Sequence, residues 1–363
     1  MKVVCQNCGR PYPDSGVPYH CPHCGGIFDD IEPLTWTNPD PDQLGIWRYW
    51  RTLQPAGDRV SLGEGQTPLV EARFDHRRIH FKCEYANPTG SFKDRGSAAL
   101  VSFLVSRGVV RAVEDSSGNA GASFAAYAAR AGIRARVFIP ESASGPKRVQ
   151  IGRYGAEVVS VPGARSEAAI AAQQAADAGA VFASHAYLPH NLAGYATTAF
   201  EIVEQLHGPP GAILAPAGQG GLILGMGRGF RAMQEAGVIE KVPVLIGVQA
   251  AVCAPLVAYS EIGVTGLGFV TEASTVAEGV RVRSPLRMDA VTRIVQDSGG
   301  RFVAVDEGDI LPGRDSLARL GFYVEPTSAL VWEGLRTLLP RLPDPVVVVL
   351  TGSGYKWKAS WER

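Results

Sequence analysis

The chain has 363 residues and carries 35 basic against 35 acidic side chains, so its formal net charge is zero. A neutral chain has no global field to recruit nucleic acid or an anionic membrane surface, and neither is expected as a partner. The opening MKVVCQNCGR has no apolar core of signal-peptide length and no run reaches the roughly 18 apolar residues of a spanning helix, so a cytoplasmic protein in a reducing compartment is expected.

The first predicted element is a metal module over residues 1–30. Cys5-x-x-Cys8 and Cys21-x-x-Cys24 are separated by twelve residues, and four thiolates at that spacing suit tetrahedral Zn²⁺. Gly9 and Gly25 follow the two pairs and permit the tight knuckles. A redox CxxC would sit beside a strand–helix–strand pattern, which this segment lacks. His20 and His23 are close enough to be alternative ligands, but four cysteines are the simpler set. Cys83 and Cys253 read as small core residues. The length exceeds what one core supports, so two larger domains are expected beyond the module. Residues 31–84, rich in Pro, Trp and Asp at their start, read as an arm and the first part of the larger domain.

Next comes Asn87 to Gly96, NPTGSFKDRG. Pro88 stops any earlier helix, Gly90 lets the backbone turn, and apolar residues after Lys93 follow helical spacing, so Lys93 opens a helix. A lysine that is partly buried or beside another cation becomes neutral enough to form a Schiff base with a carbonyl group. The strand-like VVRAVE then leads through Ser116-Ser117-Gly118-Asn119-Ala120-Gly121 into a small-residue helix. Such a loop offers N–H groups and side-chain donors to an anion at a helix start, or simply caps that helix.

Further along, RARVFIP, AEVVSV, GAILAP, VPVLIGV, RFVAV and PVVVVL read as strands, while ASFAAYAARAG, SEAAIAAQQAADAG and TSALVWEGLRTLL read as helices. Alternation of this kind argues for an α/β fold of parallel sheets flanked by helices. After GAILAP, the loop Ala217-Gly218-Gln219-Gly220-Gly221 allows close backbone approach to a phosphate at a helix N-terminus. Its spacing lacks the dinucleotide fingerprint with a following acidic residue, and a single phosphate fits better. The valine run at the end reads as a strand covered on both faces, delivering Thr351 and Ser353 to the edge where ligands gather.

Together these segments resemble the pyridoxal-phosphate enzymes of the tryptophan-synthase-like fold, and within them the threonine synthase branch. Ser61 to Leu69 (SLGEGQTPL), NPTGSFKDRG and Val324 to Ala329 (VEPTSA) carry the resemblance across most of the chain. It implies two parallel-sheet, three-layer domains, a small mobile one over 85–195 and a larger cofactor-binding one over 196–363, with the cofactor in the cleft between them. It implies that Lys93 forms the Schiff base with pyridoxal 5'-phosphate and that Asn119 meets the ring 3-oxygen. Gly218, Gln219, Gly220, Gly221 and Leu222 would wrap the phosphate, and Thr351 would bond the pyridine nitrogen. A small amino acid would be held with the help of Ser117, Gly118, Ser184 and Asn191, by a homodimeric enzyme.

One departure bears on the substrate. In SHAYLPHNLAGY, Ser184 to Tyr195, the position at which the branch carries a phosphate-binding arginine reads Asn191. Losing a bidentate guanidinium costs a charge-assisted hydrogen bond, on the order of 1.5–3 kcal/mol. Lys147, Arg148 and Ser184 are the nearby candidates to compensate. The expected activity is that of a threonine synthase, releasing phosphate from O-phosphohomoserine and adding water at Cβ. The alternatives are a serine or threonine dehydratase, a β-replacing synthase, and a non-catalytic relative that keeps the fold as a binding unit.

Overall fold

The computed structural model describes residues 2–55, 57–141, 145–163 and 165–357; the outer ends of the first and last expected domains, Met1 and residues 358–363, lie outside them. In chain order the strands are β1 (Val3–Cys5), β2 (Phe28–Asp30), β3 (Leu69–Phe74), β4 (Arg77–Lys82), β5 (Arg111–Glu114), β6 (Arg134–Pro140), β7 (Glu157–Val161), β8 (Val181–Phe182), β9 (Ala212–Pro216), β10 (Val244–Ala250), β11 (Arg301–Val305) and β12 (Val346–Val349). The α-helices are α1 (Trp50–Leu53), α2 (Lys93–Ser106), α3 (Asn119–Arg130), α4 (Pro146–Arg153), α5 (Arg165–Asp177), α6 (His190–Leu206), α7 (Gly221–Glu235), α8 (Pro255–Ile262), α9 (Met288–Asp297), α10 (Glu307–Arg319) and α11 (Pro326–Leu338). Two compact units result: one of residues up to 65, 87–194 and the stretch from 356, the other of 66–86 and 195–355.

The first unit is built on the parallel sheet β7-β6-β5-β8, with α3, α4 and α5 as the successive crossovers. Alanines explain α3: with Ala120, Ala122, Ala125, Ala126 and Ala128 all buried, the helix packs closely on several sides. Residues 31–65 are grouped here. Trp47 Nε1 donates to Val60 O at 3.1 Å and Val60 N–H to Ser102 Oγ of α2 at 2.9 Å, which ties the arm to this unit. Gly45 adopts a φ of +59°, and a Cβ there would lie 2.1 Å from Glu64 O, so only glycine lets the arm pass. The N-terminal cysteine module pairs β1 with β2 antiparallel and packs Tyr12 and Phe28 against Phe103 of α2.

In the second unit, among the described residues, six strands run in the order β11-β10-β9-β12-β4-β3. All neighbours are parallel except β3 and β4, a hairpin turned at Asp75 and His76 with φ of 47° and 62°. The valine run lies between β9 and β4 and is buried at all four positions, as a strand covered on both faces must be. Ile79, Phe81, Leu214, Val248, Leu330 and Leu335 pack with it in one core. RARVFIP and RFVAV coincide with β6 and β11, while the β3–β4 hairpin falls in the segment read as an arm and the first part of the larger domain. No helix among the described residues is long and apolar enough to cross a membrane.

Candidate active site

Lys93 is the first residue of α2, as its sequence context predicts, and is half-buried with its Nζ 4.8 Å from the Phe92 ring centroid. The loop before it turns at Gly90, with φ of +84°, and is organised around Thr89. Thr89 donates twice to Asp94, while its carbonyl accepts from Lys356 Nζ at 2.7 Å and Gln150 Nε2 at 3.1 Å. Ser123 of α3 also donates to Asp94 Oδ1, at 2.6 Å, which fixes the start of α2 against the helix that Asn119 begins. Burial pushes the Asp94 carboxyl up, against these donors.

Asn119, Ser117 and Gly118 lie half-exposed at the start of α3 and in the loop after β5. Gly121 has no room for a side chain, since a Cβ would sit 1.8 Å from Ser116 O. Ser184 accepts the N–H groups of Ala186 and Tyr187, at 3.3 and 3.4 Å, and so shapes its own turn. Asn191, only 2% exposed, donates from Nδ2 to His185 O at 2.7 Å, so its donor serves the backbone of the preceding loop. Arg148 reaches Ser160 Oγ at 3.0 Å, and Lys147 is half-buried in the first turn of α4.

The glycine loop and Thr351 belong to the second unit. Gly218, Gln219 and Gly220 connect β9 to α7, which opens at Gly221 and Leu222 and aims its positive end at the loop. Gly220 has φ of +76° and its Cβ would meet Val291 at 2.6 Å; a Cβ on Gly218 would meet Gly279 O at 2.9 Å. Gln219 Oε1 accepts Leu286 N–H at 3.1 Å, so this residue braces the loop from behind. Thr351 follows β12; its N–H goes to Ser328 Oγ at 2.9 Å, and Glu325 N–H goes to Gly352 O at 3.0 Å. The late motif therefore supports the strand end that carries Thr351.

Ser91 Oγ, Asn191 Oδ1 and Thr351 Oγ1 are buried polar atoms without a protein partner. Orphans of this kind are costly unless a ligand meets them. Within the first unit the half-buried Lys93 beside Ser91, and within the second the glycine-rich loop and Thr351, are each of a chemistry that suits pyridoxal phosphate.

The four cysteines converge as their spacing predicts, every pair of Sγ atoms lying within 4.8 Å. Cys5 and Cys24 are 3.5 Å apart and Cys8 and Cys21 3.7 Å, near the roughly 3.8 Å edge of a tetrahedron with Zn–S bonds of about 2.3 Å. Gly9 and Gly25 adopt φ of +69° and +71°, and their N–H groups return to Cys5 O and Cys21 O. Burial opposes ionisation of Cys5, but the N–H groups of Cys8 and Asn7 pull its thiol down to about 7. His20 and His23 are outside the cluster.

Several residues that shape these sites carry no signal in a linear reading. Glu64 is fully buried and accepts Tyr127 O–H at 2.7 Å and Leu62 N–H at 2.9 Å. In the second unit, the buried Lys82 pairs with Glu201 at 2.7 Å and also donates to Thr67 O at 2.8 Å. Glu201 in turn accepts Gln66 N–H at 2.7 Å, so the pair holds the end of the early motif. Only alternation of charged with apolar residues on β4 hinted at Lys82.

Residues 60–352 match the family described as "Pyridoxal-phosphate dependent enzyme". The chain belongs to that family. Among curated members, the threonine synthase of Methanocaldococcus jannaschii is 32% identical over 98% of this chain and 93% of its own length. That of Mycobacterium bovis is 35% identical, covering 90% of this chain and 91% of the relative. Among solved structures, a threonine deaminase from T.th. superposes with a TM-score of 0.68 at 26% identity, covering 81% of this chain and 94% of that one. Membership in the pyridoxal-phosphate dependent enzymes accounts for the mixed α/β architecture with its parallel sheets.

Proposed function

We propose that this chain is a threonine synthase, converting O-phosphohomoserine and water into threonine and phosphate with pyridoxal phosphate held by Lys93. The observation that carries the reading is near full-length similarity to relatives bearing that name, at 32% and 35% identity. Once bound, the cofactor supplies an electron sink for a carbanion at the amino-acid Cα. In this reading Lys93 Nζ would hold the cofactor, and the same amine would take and later return the Cα proton. The N–H groups of Gly218 to Leu222 would hold the phosphate and Asn119 would meet the 3-oxygen. Thr351 Oγ1 would bond the ring nitrogen, and a neutral hydroxyl there would moderate electron withdrawal because it would not keep that nitrogen protonated. Ser117 and Gly118 orient the substrate, with Ser184 and Asn191 beside them.

Cys5, Cys8, Cys21 and Cys24 are assigned one structural Zn²⁺, supported by their convergence. The same reading expects a cytoplasmic homodimer acting on a small amino acid, with neither nucleic acid nor membrane as partner.

Asn191 favours a second reading. An amide in place of a guanidinium suits a substrate without a phosphate group, such as serine or threonine undergoing dehydration or β-replacement. A substrate panel scored for released phosphate and for released 2-oxo acid separates the two. Phosphate and threonine in equal amounts from O-phosphohomoserine support the first; 2-oxo acid from serine or threonine, with O-phosphohomoserine inert, moves the assignment to the second.

A further inference from the structure

The first unit contains an acid–imidazole pair, Glu114 with His185. His185 Nδ1 lies 2.7 Å from Glu114 Oε1; the carboxylate is 1% exposed and the ring 16%. The other Glu114 oxygen accepts Ser116 N–H, so the carboxylate is anchored to the loop that runs on to Ser117, Gly118 and Asn119. Glu114 ends β5, and β8 is its parallel neighbour with Val113 opposite Phe182. The loops carrying Asn119 and His185 therefore leave adjacent strands at the same carboxyl edge, where ligands of open α/β sheets bind.

The His185 loop is held on both sides. Asn191 Nδ2 ties down His185 O, Tyr19 of the metal module sets its ring against Phe182 and Tyr187 at 5.2 Å, and Phe103 stacks on His190 at 3.5 Å. A histidine fixed by a buried carboxylate at Nδ1 has a defined tautomer, which leaves Nε2 as its proton-transfer atom.

We propose that His185, oriented by Glu114, transfers the proton of the substrate's side-chain oxygen at Cβ. As water adds, its O–H bond breaks toward His185 Nε2, the new bond forms between oxygen and Cβ, and the displaced electron pair goes to Cα, where Lys93 returns a proton; His185 then gives the proton it took to solvent, from which the released phosphate takes one up. In the opposite direction the same nitrogen protonates a hydroxyl leaving Cβ. A phosphate leaving Cγ needs no proton from this pair. The proposal rests on the reading of the site as an amino-acid lyase or synthase using pyridoxal phosphate.

The test uses the cofactor-loaded enzyme, its His185→Gln and Glu114→Gln variants, and three readouts: Cα proton exchange of threonine in D₂O, single-turnover phosphate release from O-phosphohomoserine, and product formation. In His185→Gln, exchange and phosphate release should persist while threonine formation falls about 100-fold or more, the usual contribution of a positioned acid or base. If the dehydratase reading holds, 2-oxo acid formation from threonine falls instead, again with exchange retained. Glu114→Gln keeps an acceptor without the charge and should fall between, and imidazole should partly restore His185→Ala. Product formation at the wild-type rate in His185→Gln overturns the proposal, as does parallel loss of exchange and turnover in both variants. A wild type without Cα exchange overturns the reading of the site itself and this proposal with it.

Discussion

Thr89 gives both of its donors to one carboxylate: its backbone N–H reaches Asp94 Oδ2 and its hydroxyl reaches Asp94 Oδ1, each at 2.6 Å. The two residues bracket Lys93, so the position of this lysine depends on a buried acid next to it in sequence. Asp94→Ala strands these donors together with Ser123, and should lower stability by roughly 2–5 kcal/mol, as loss of a buried, multiply bonded acid does. Asp94→Asn keeps one acceptor and should cost less. Chemical denaturation gives the cost, and cofactor absorbance at equal protein concentration gives the loss of occupancy. An Asp94→Ala protein with unchanged midpoint and full absorbance would contradict this role.

Thr351 and Ser328 make opposite predictions although they adjoin. Thr351 Oγ1 has no protein partner, so Thr351→Val should leave the cofactor-free protein as stable as wild type while weakening cofactor binding. Ser328 Oγ accepts Thr351 N–H, so Ser328→Ala should cost about 1 kcal/mol with or without cofactor. Melting both variants with the cofactor present and removed reads the difference. A Thr351→Val protein that loses stability equally in both conditions would assign the hydroxyl to the fold alone.

Lys93, the glycine loop and the cysteine quartet were legible because each depends on local geometry: a helix start, a turn that excludes Cβ, a knuckle of fixed spacing. Most strands of the two sheets were legible for the same reason, since β12 had to be apolar throughout to be covered on both faces, whereas β3, β4 and the two-residue β8 were not read as strands. Glu114 with His185, Glu64 with Tyr127 and Lys82 with Glu201 are separated by 71, 63 and 119 residues, and parallel pairing or helix packing alone brings them together. No period or motif marks such pairs. Asn191 was legible as a departure, but its bond to His185 O depends on the fold of the intervening turn.

The N-terminal cysteine module touches the segment that carries His185 through Tyr19, and α6 through Tyr12, whose ring is 5.2 Å from that of His190. Purified protein should therefore carry about one Zn²⁺, and its removal by a chelator should raise KM for the amino acid and lower the melting temperature while Lys93 still binds cofactor. Elemental analysis and titration of free thiols check the metal. Four readily titrated cysteines in a folded, active, zinc-free protein would count against the site.

Burial pushes the Glu64 carboxyl above the ordinary carboxylate range, against the donors of Leu62, Tyr127 and Ser61. Below that range folded and unfolded chains are both protonated at this position, and its contribution is complete. As pH rises the unfolded chain ionises first, so stability is lost until the folded carboxyl has ionised too. Glu64→Gln removes the ionisation, and its melting temperature should gain on wild type as pH rises through this window. Parallel melting curves against pH for the two proteins would show that Glu64 does not titrate with folding.

The most direct measurement is borohydride reduction of the cofactor-loaded enzyme followed by peptide mapping. Lys93 should carry the reduced cofactor on a single peptide, and Lys93→Ala should lose both the tag and turnover while keeping the fold. A tag on Lys82, Lys147 or Lys356, or full turnover by Lys93→Ala, would contradict the assignment of this site.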